Sequence, residues 1–111
     1  MIWGVSMYKL IVFIEDNNEF DQERLLIESV VPQLLTIPGI HKVNVNPLTG
    51  FRFKSPSDTK YRLQIEIYYT DKETFYTVTQ HPLTQQLLND YFQDITDETA
   101  LYLAKETTYQ R

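Results

Sequence analysis

The sequence predicts an α+β domain in which a four-stranded antiparallel sheet carries helices on one of its faces. Three observations lead there. Residues Tyr61–Tyr69 alternate apolar and polar for nine positions, the period of a strand with one face in a core. Residues 20–35 instead place Phe20, Ile27, Val31 and Leu34 on one helical stripe. Taken in order, the predicted elements run βαββαβ, and helices on one face of an antiparallel sheet is the ferredoxin-like solution for that order.

The first strand is expected over residues 7–14. Its stretch Leu10–Ile14 is apolar at every position, which reads as burial on both faces. Residues 1–6 are taken as an N-terminal extension, 7–107 as the domain and 108–111 as a tail. Asn18 suits a helix N-cap, with Glu19 and Asp21 favourably placed in the first turn. The helix stripe is widened by Leu26, Val30 and Leu35, while Asp21, Gln22 and Glu28 form the wet side. Pro32 is expected to kink or divide this helix, and Ile37-Pro38-Gly39 to stop it.

A second strand follows over 40–46, with Val43 and Val45 on one face and Lys42, Asn44 and Asn46 on the other. Residues 47–60 read as a long loop, of the kind that often carries function. In the third strand Tyr61, Leu63, Ile65, Ile67 and Tyr69 face the core, opposite Arg62, Gln64, Glu66 and Tyr68. Thr70 or Asp71 can cap a short helix ending at Thr79, and Pro82 opens a further helical piece through Phe92. Residues 100–105 complete the sheet as a fourth strand.

These helices can cover only one face, yet the first strand is patterned for burial on both. A second copy of the sheet is the simplest cover, so the expected assembly is a homodimer, a dimeric α+β barrel. A chain of 111 residues holds one domain and buries only about two-thirds of its unfolded surface, so an interface adds materially to its stability.

Composition narrows the function classes. The net charge is −5 and the ten Lys and Arg are scattered, which argues against a nucleic-acid footprint. No run reaches membrane-spanning length, and the first six residues lack the pattern of a secretory signal. With no cysteine there is no disulfide, thiol nucleophile or thiolate metal site. A cytoplasmic location is the expectation. The three glycines lie far apart and form no phosphate-cradling loop, and no serine has a nucleophile-elbow setting.

The segment Glu28-Ser29-Val30-Val31-Pro32-Gln33-Leu34-Leu35-Thr36-Ile37-Pro38-Gly39-Ile40 resembles EthD-like proteins, which often carry His-x-Pro-Leu late in the first helix and then Pro-Gly. The stretch from His81-Pro82-Leu83 to Asn89-Asp90-Tyr91-Phe92 is similar to a later segment of that family, and the resemblance spans residues 7–107. It departs at two positions: Val30 stands at the family's His and Gln33 where Leu is usual. Valine carries no proton, so any chemistry of that His is absent from this chain. The resemblance implies a small apolar or aromatic ligand held between sheet and helices, without a cofactor, with cofactor-independent oxidoreductase or monooxygenase chemistry as the active form. The other reading is a non-catalytic dimeric ligand-binding or accessory protein. Haem degradation, known in the wider barrel group, is a third.

The residues nominated for the pocket are Tyr69, Tyr91 and Phe92 as ligand contacts and His81 as its acid or base. Against this stands the plainer expectation that His81 and His41 are surface or capping residues and that the aromatics are core. Neither His sits in a spacing that suggests a metal site, and none is expected. Arg62, Gln64 and Glu66, with Lys42, Asn44 and Asn46, invite a catalytic cluster; the simpler expectation is that they pair with one another inside the dimer.

Overall fold

The computed structural model describes residues 3–15, 24, 26–52, 55–57, 61–91 and 101–111. The strands are β1 (Trp3–Glu15), β2 (Ile40–Pro47), β3 (Gly50–Arg52), β4 (Ser55–Ser57), β5 (Tyr61–Tyr69) and β6 (Leu101–Gln110). A π-helical turn (Leu26–Val30) leads into α1 (Val31–Leu34), and α2 (Lys72–Thr79) and α3 (Pro82–Tyr91) follow β5. The main sheet has the order β2-β5-β1-β6, antiparallel throughout, as the βαββαβ order requires. The fold is ferredoxin-like.

Helices and core lie on one face. Leu63, Ile65, Ile67 and Tyr69 of β5 and Val12 of β1 pack against Val30, Leu34 and Ile37 around α1, Val78 of α2 and Leu87 of α3. Local chemistry fixes each helix. Asp71 caps α2 by accepting the Thr74 backbone N–H at 2.7 Å, a bond that holds its carboxyl below the usual range. At α1, Pro32 has no N–H to send back toward residue 28 and its ring crowds that turn, and the helix is widened to the π form just ahead of it. The Gln33 side chain donates to the Ser29 carbonyl at 3.0 Å beside this irregular turn. Between α1 and β2, Gly39 takes φ +100°, and a Cβ there would lie 2.7 Å from Cγ2 of Thr74. Only glycine permits both the turn and this close approach to α2.

Three boundaries differ from expectation. β1 opens at Trp3 rather than residue 7, because residues 3–6 pair with residues 107–110; β6 runs to Gln110 for the same reason. The expected loop at 47–60 contains the β3–β4 ribbon, in which Gly50 pairs with Ser57 and Phe51 with Pro56. The Asn18 cap, most of the helix stripe before Leu26, and Phe92 lie outside the described residues. No helix among the described residues is long and apolar enough to cross a membrane.

Candidate functional site: the open face of the sheet

Antiparallel register decides which side chains share the face away from the helices. Across β2, β5, β1 and β6 one row reads Lys42, Tyr68, Lys9, Ala104 and the next Asn44, Glu66, Ile11, Tyr102. A third begins Asn46, Gln64, Phe13. The helix face takes the alternate residues Leu10, Val12 and Ile14 of β1, paired with Ile67, Ile65 and Leu63.

Among the described residues no helix belongs to the open face, yet its centre is largely shielded from solvent. Tyr68 is 4% exposed, and the Lys9 and Glu66 side chains are 14% and 12% exposed. Lys9 donates to Glu66 in an ion pair, and its Nζ also lies 3.5 Å from the Tyr68 hydroxyl and 3.4 Å from Oε1 of Glu106. Asn46 donates to Glu66 at 2.9 Å and to Gln64 at 3.2 Å. The Lys42 ammonium stands 4.4 Å from the centroid of the Tyr68 ring, a cation–π geometry. Beside this polar cluster is an aromatic one: Phe13 lies 5.3 Å from Tyr61 and 6.3 Å from Tyr102, the latter edge to face. Tyr61 departs from the expected core face: a register shift pairs it with Glu15, out of step with Leu63, and brings it beside Phe13.

The electrostatics fix the charge states. Burial works against both ions of the central pair. For Lys9 the hydrogen bond and attraction of Glu66, with help from Tyr68, outweigh it and raise the ammonium above the usual lysine range. For Glu66 the hydrogen bonds from Lys9 and Asn46 outweigh it and lower the carboxyl. Burial, then the bond to Glu106 and the charge of Glu66, push the Tyr68 hydroxyl up. All three groups therefore move away from neutrality, opposite to what a proton-transfer catalyst working at neutral pH requires.

The nominated pocket residues fall elsewhere. Tyr69 ends β5 inside the helix-side core, 2% exposed, its ring 5.3 Å from Phe75, and burial pushes its hydroxyl up to about 12. His81 precedes α3, where its Nδ1 accepts the Leu83 backbone N–H at 3.1 Å, so it acts as a capping histidine. Tyr91 closes α3; its side chain and all of Phe92 lie outside what the structure describes. Val30, at the family's His position, is 0% exposed and belongs to the core with Leu34, Ile37 and Leu63. Among the described residues no three of His, Asp and Glu gather as a metal site would need.

Sequence reasoning named Arg62, Gln64 and Glu66 with Lys42, Asn44 and Asn46 and expected them to pair with one another inside a dimer; within one chain Asn46 pairs with Gln64 and Glu66. It missed Lys9 and Glu106. The signal for Lys9 was available: it shares parity with Ile11 and Phe13, which makes it the one charge on that face of β1 between Met7 and Phe13.

This architecture defines a class, a ferredoxin-like α+β domain with one helix-covered and one open sheet face. No family model matches the chain, and no curated protein matches it. Solved structures do. An EthD (ethyl tert-butyl ether D) family protein from Bacillus halodurans is 20% identical, with 90% of this chain and 96% of that one covered and a TM-score of 0.65. A hydroxynitrile lyase from Passiflora edulis is 9% identical over 91% of this chain and 93% of its own, with a TM-score of 0.69. A dimeric ferredoxin-like protein of unknown function from Thermobifida fusca is 12% identical, covers 89% of each chain and has a TM-score of 0.62. At these identities the likeness is one of fold. The EthD structure agrees with the resemblance that residues 28–40 carry.

Proposed function

We propose that the protein works in the cytoplasm as a homodimer, assembled through the open face of its sheet, that binds a small apolar or aromatic molecule without turning it over. One observation carries this reading: the open face is patterned as an interior. Its centre holds a hydrogen-bonded ion pair with little access to water, and Phe13, Tyr61 and Tyr102 form a ring cluster beside it whose outer member, Tyr102, is 57% exposed. Charged side chains are seldom shielded this far from water unless they are paired, and a paired cluster can be covered further without stranding a charge. The Thermobifida protein of the same fold is dimeric, which supports the same assembly here. The aromatic cluster offers a flat ligand ring faces and edges at the seam between two sheets. The non-catalytic reading is favoured by the fixed charges of Lys9 and Glu66 and by the packed Val30.

The test is titration with anilinonaphthalene sulfonate, an aromatic probe, at protein concentrations where the mass is that of a dimer. Saturable binding that Tyr102→Ala weakens, with the dimer intact, is the expected result. Non-saturable binding, or binding indifferent to Tyr102, refutes the ligand site.

A second reading puts the ligand on the helix side at Tyr69, His81, Tyr91 and Phe92, with His81 as acid or base of a cofactor-independent oxidative step. The EthD likeness and the half-buried place of His81 between α2 and α3 favour it. It predicts turnover of an aromatic substrate that His81→Ala abolishes and His81→Asn, which keeps the capping role, does not restore.

A further inference from the structure

The edge strands of the open face carry opposite charges. On β2 the open-face positions are Lys42, Asn44 and Asn46, so the only charge there is positive. On β6 they include Tyr102, Ala104, Glu106 and Thr108, and the only charge is negative. β2 and β6 are the two outer strands of the sheet, so the charges sit at opposite margins of one surface.

Two copies of such a face, packed in aligned fashion about a two-fold axis between them, have two arrangements. With the axis across the strands, β2 lies over the partner's β2 and β6 over the partner's β6, which sets like charges along both margins. With the axis along the strands, each β2 lies over the partner's β6. The row of Lys42 ends at Ala104, two residues from Glu106, an offset of about 7 Å between sheets about 10 Å apart, which two long side chains can close. Glu106 keeps room for a partner beyond Lys9 and Tyr68: its side chain is 35% exposed and its contact with Lys9 is 3.4 Å long.

We infer that the homodimer forms with its two-fold axis along the strands, and that Lys42 of each chain pairs with Glu106 of the partner subunit at both margins of the interface. This rests on the reading of the open face as the dimer interface. The two pairs select the arrangement by rejecting the other one, the usual contribution of charges at an interface rim.

Charge reversal tests the inference through sedimentation equilibrium and native mass spectrometry. Lys42→Glu and Glu106→Lys alone should each weaken the homodimer about tenfold or more, because every seam pair becomes repulsive. Mixed one to one, they should form a heterodimer in preference to either homodimer, because both seam pairs are again opposite in sign. A wild type that dimerises, with variants that show no heterodimer preference, overturns the inference and leaves the open-face reading standing. A wild type that stays monomeric at every concentration overturns both. If circular dichroism finds Glu106→Lys unfolded beside Lys9, Lys42→Glu is compared with Lys42→Met. A larger loss for the reversed charge is the expected result, and equal losses overturn the inference.

Discussion

The helix face and the open face of the sheet are built from the same strands, one residue out of step, yet different forces hold them. On the helix face Leu63, Ile65 and Ile67 meet Val30, Leu34, Val78 and Leu87, and nearly every contact is apolar. On the open face Lys9, Glu66, Tyr68 and Asn46 meet one another, and nearly every central contact is polar or charged. Burial of apolar area stabilises the first face without needing geometry beyond close packing. The second is stable only while each buried charge keeps its partner. The first face thus supplies the stability of the chain, and the second supplies a specific surface.

The largest expected effect is on the helix face. Leu63 is fully buried between β1 and the helices, and Leu63→Ala should cost about 2–5 kcal/mol in urea unfolding through the cavity it leaves. On the open face Lys9→Ala should cost about 3 kcal/mol, because Glu66 is left shielded without its cation. The double replacement Lys9→Met with Glu66→Leu should recover most of that loss, whereas no second substitution at a charged residue rescues Leu63→Ala. If the double variant is as unstable as the single one, the two faces do not differ in the way described.

Gly39→Ala should come next, at about 1–3 kcal/mol, since φ +100° strains any other residue and the added methyl meets Thr74 on α2. Its thermal melt should shift with the helix face and leave ion-pair substitutions additive.

What the sequence made legible follows the same division. The alternation of residues 62–69 and the Asp71 cap depend on neighbours in the chain, so most of strand β5 and helix α2 could be read directly, whereas the register shift at Tyr61 could not. The start of β1 at Trp3 could not, because residues 3–6 gain their partners from 107–110, about a hundred positions away. Nor could the pairing of Lys9 with Glu66, which depends on the β1–β5 register that sets Lys9 opposite Tyr68 and Ile11 opposite Glu66. Gly50 and Pro56 read as loop residues and conceal the β3–β4 ribbon, whose three-residue strands are too short to show a period. The EthD-like segment pointed to Val30 as a vacant catalytic position, and the structure gives that residue a packing role in the core.

The smallest expected effect is pH dependence, and it also separates the faces. Tyr69 on the helix face has its hydroxyl pushed up to about 12, above the unfolded value of about 10. Its contribution is complete below about pH 10 and is lost as the pH rises toward 12. Lys9 on the open face is also raised, so its contribution is complete below the ordinary lysine value of about 10.4 and is lost at more alkaline pH. Glu66 is lowered, so its contribution holds above about pH 4 and is lost as the pH falls further, through its folded value. Tyr69→Phe should therefore flatten only the alkaline limb of a melting-temperature profile. The Lys9→Met and Glu66→Leu double variant should flatten both limbs.

The most direct test of the central claim, that the open face is made to be covered by a second copy, is sedimentation equilibrium of the wild-type chain over a wide concentration range. The expected mass is twice the 13.2 kDa of one chain, falling toward one chain on dilution and falling sooner for Lys42→Glu. A mass of 13.2 kDa at every concentration would contradict the account and leave the ion-paired face as a feature of a monomer.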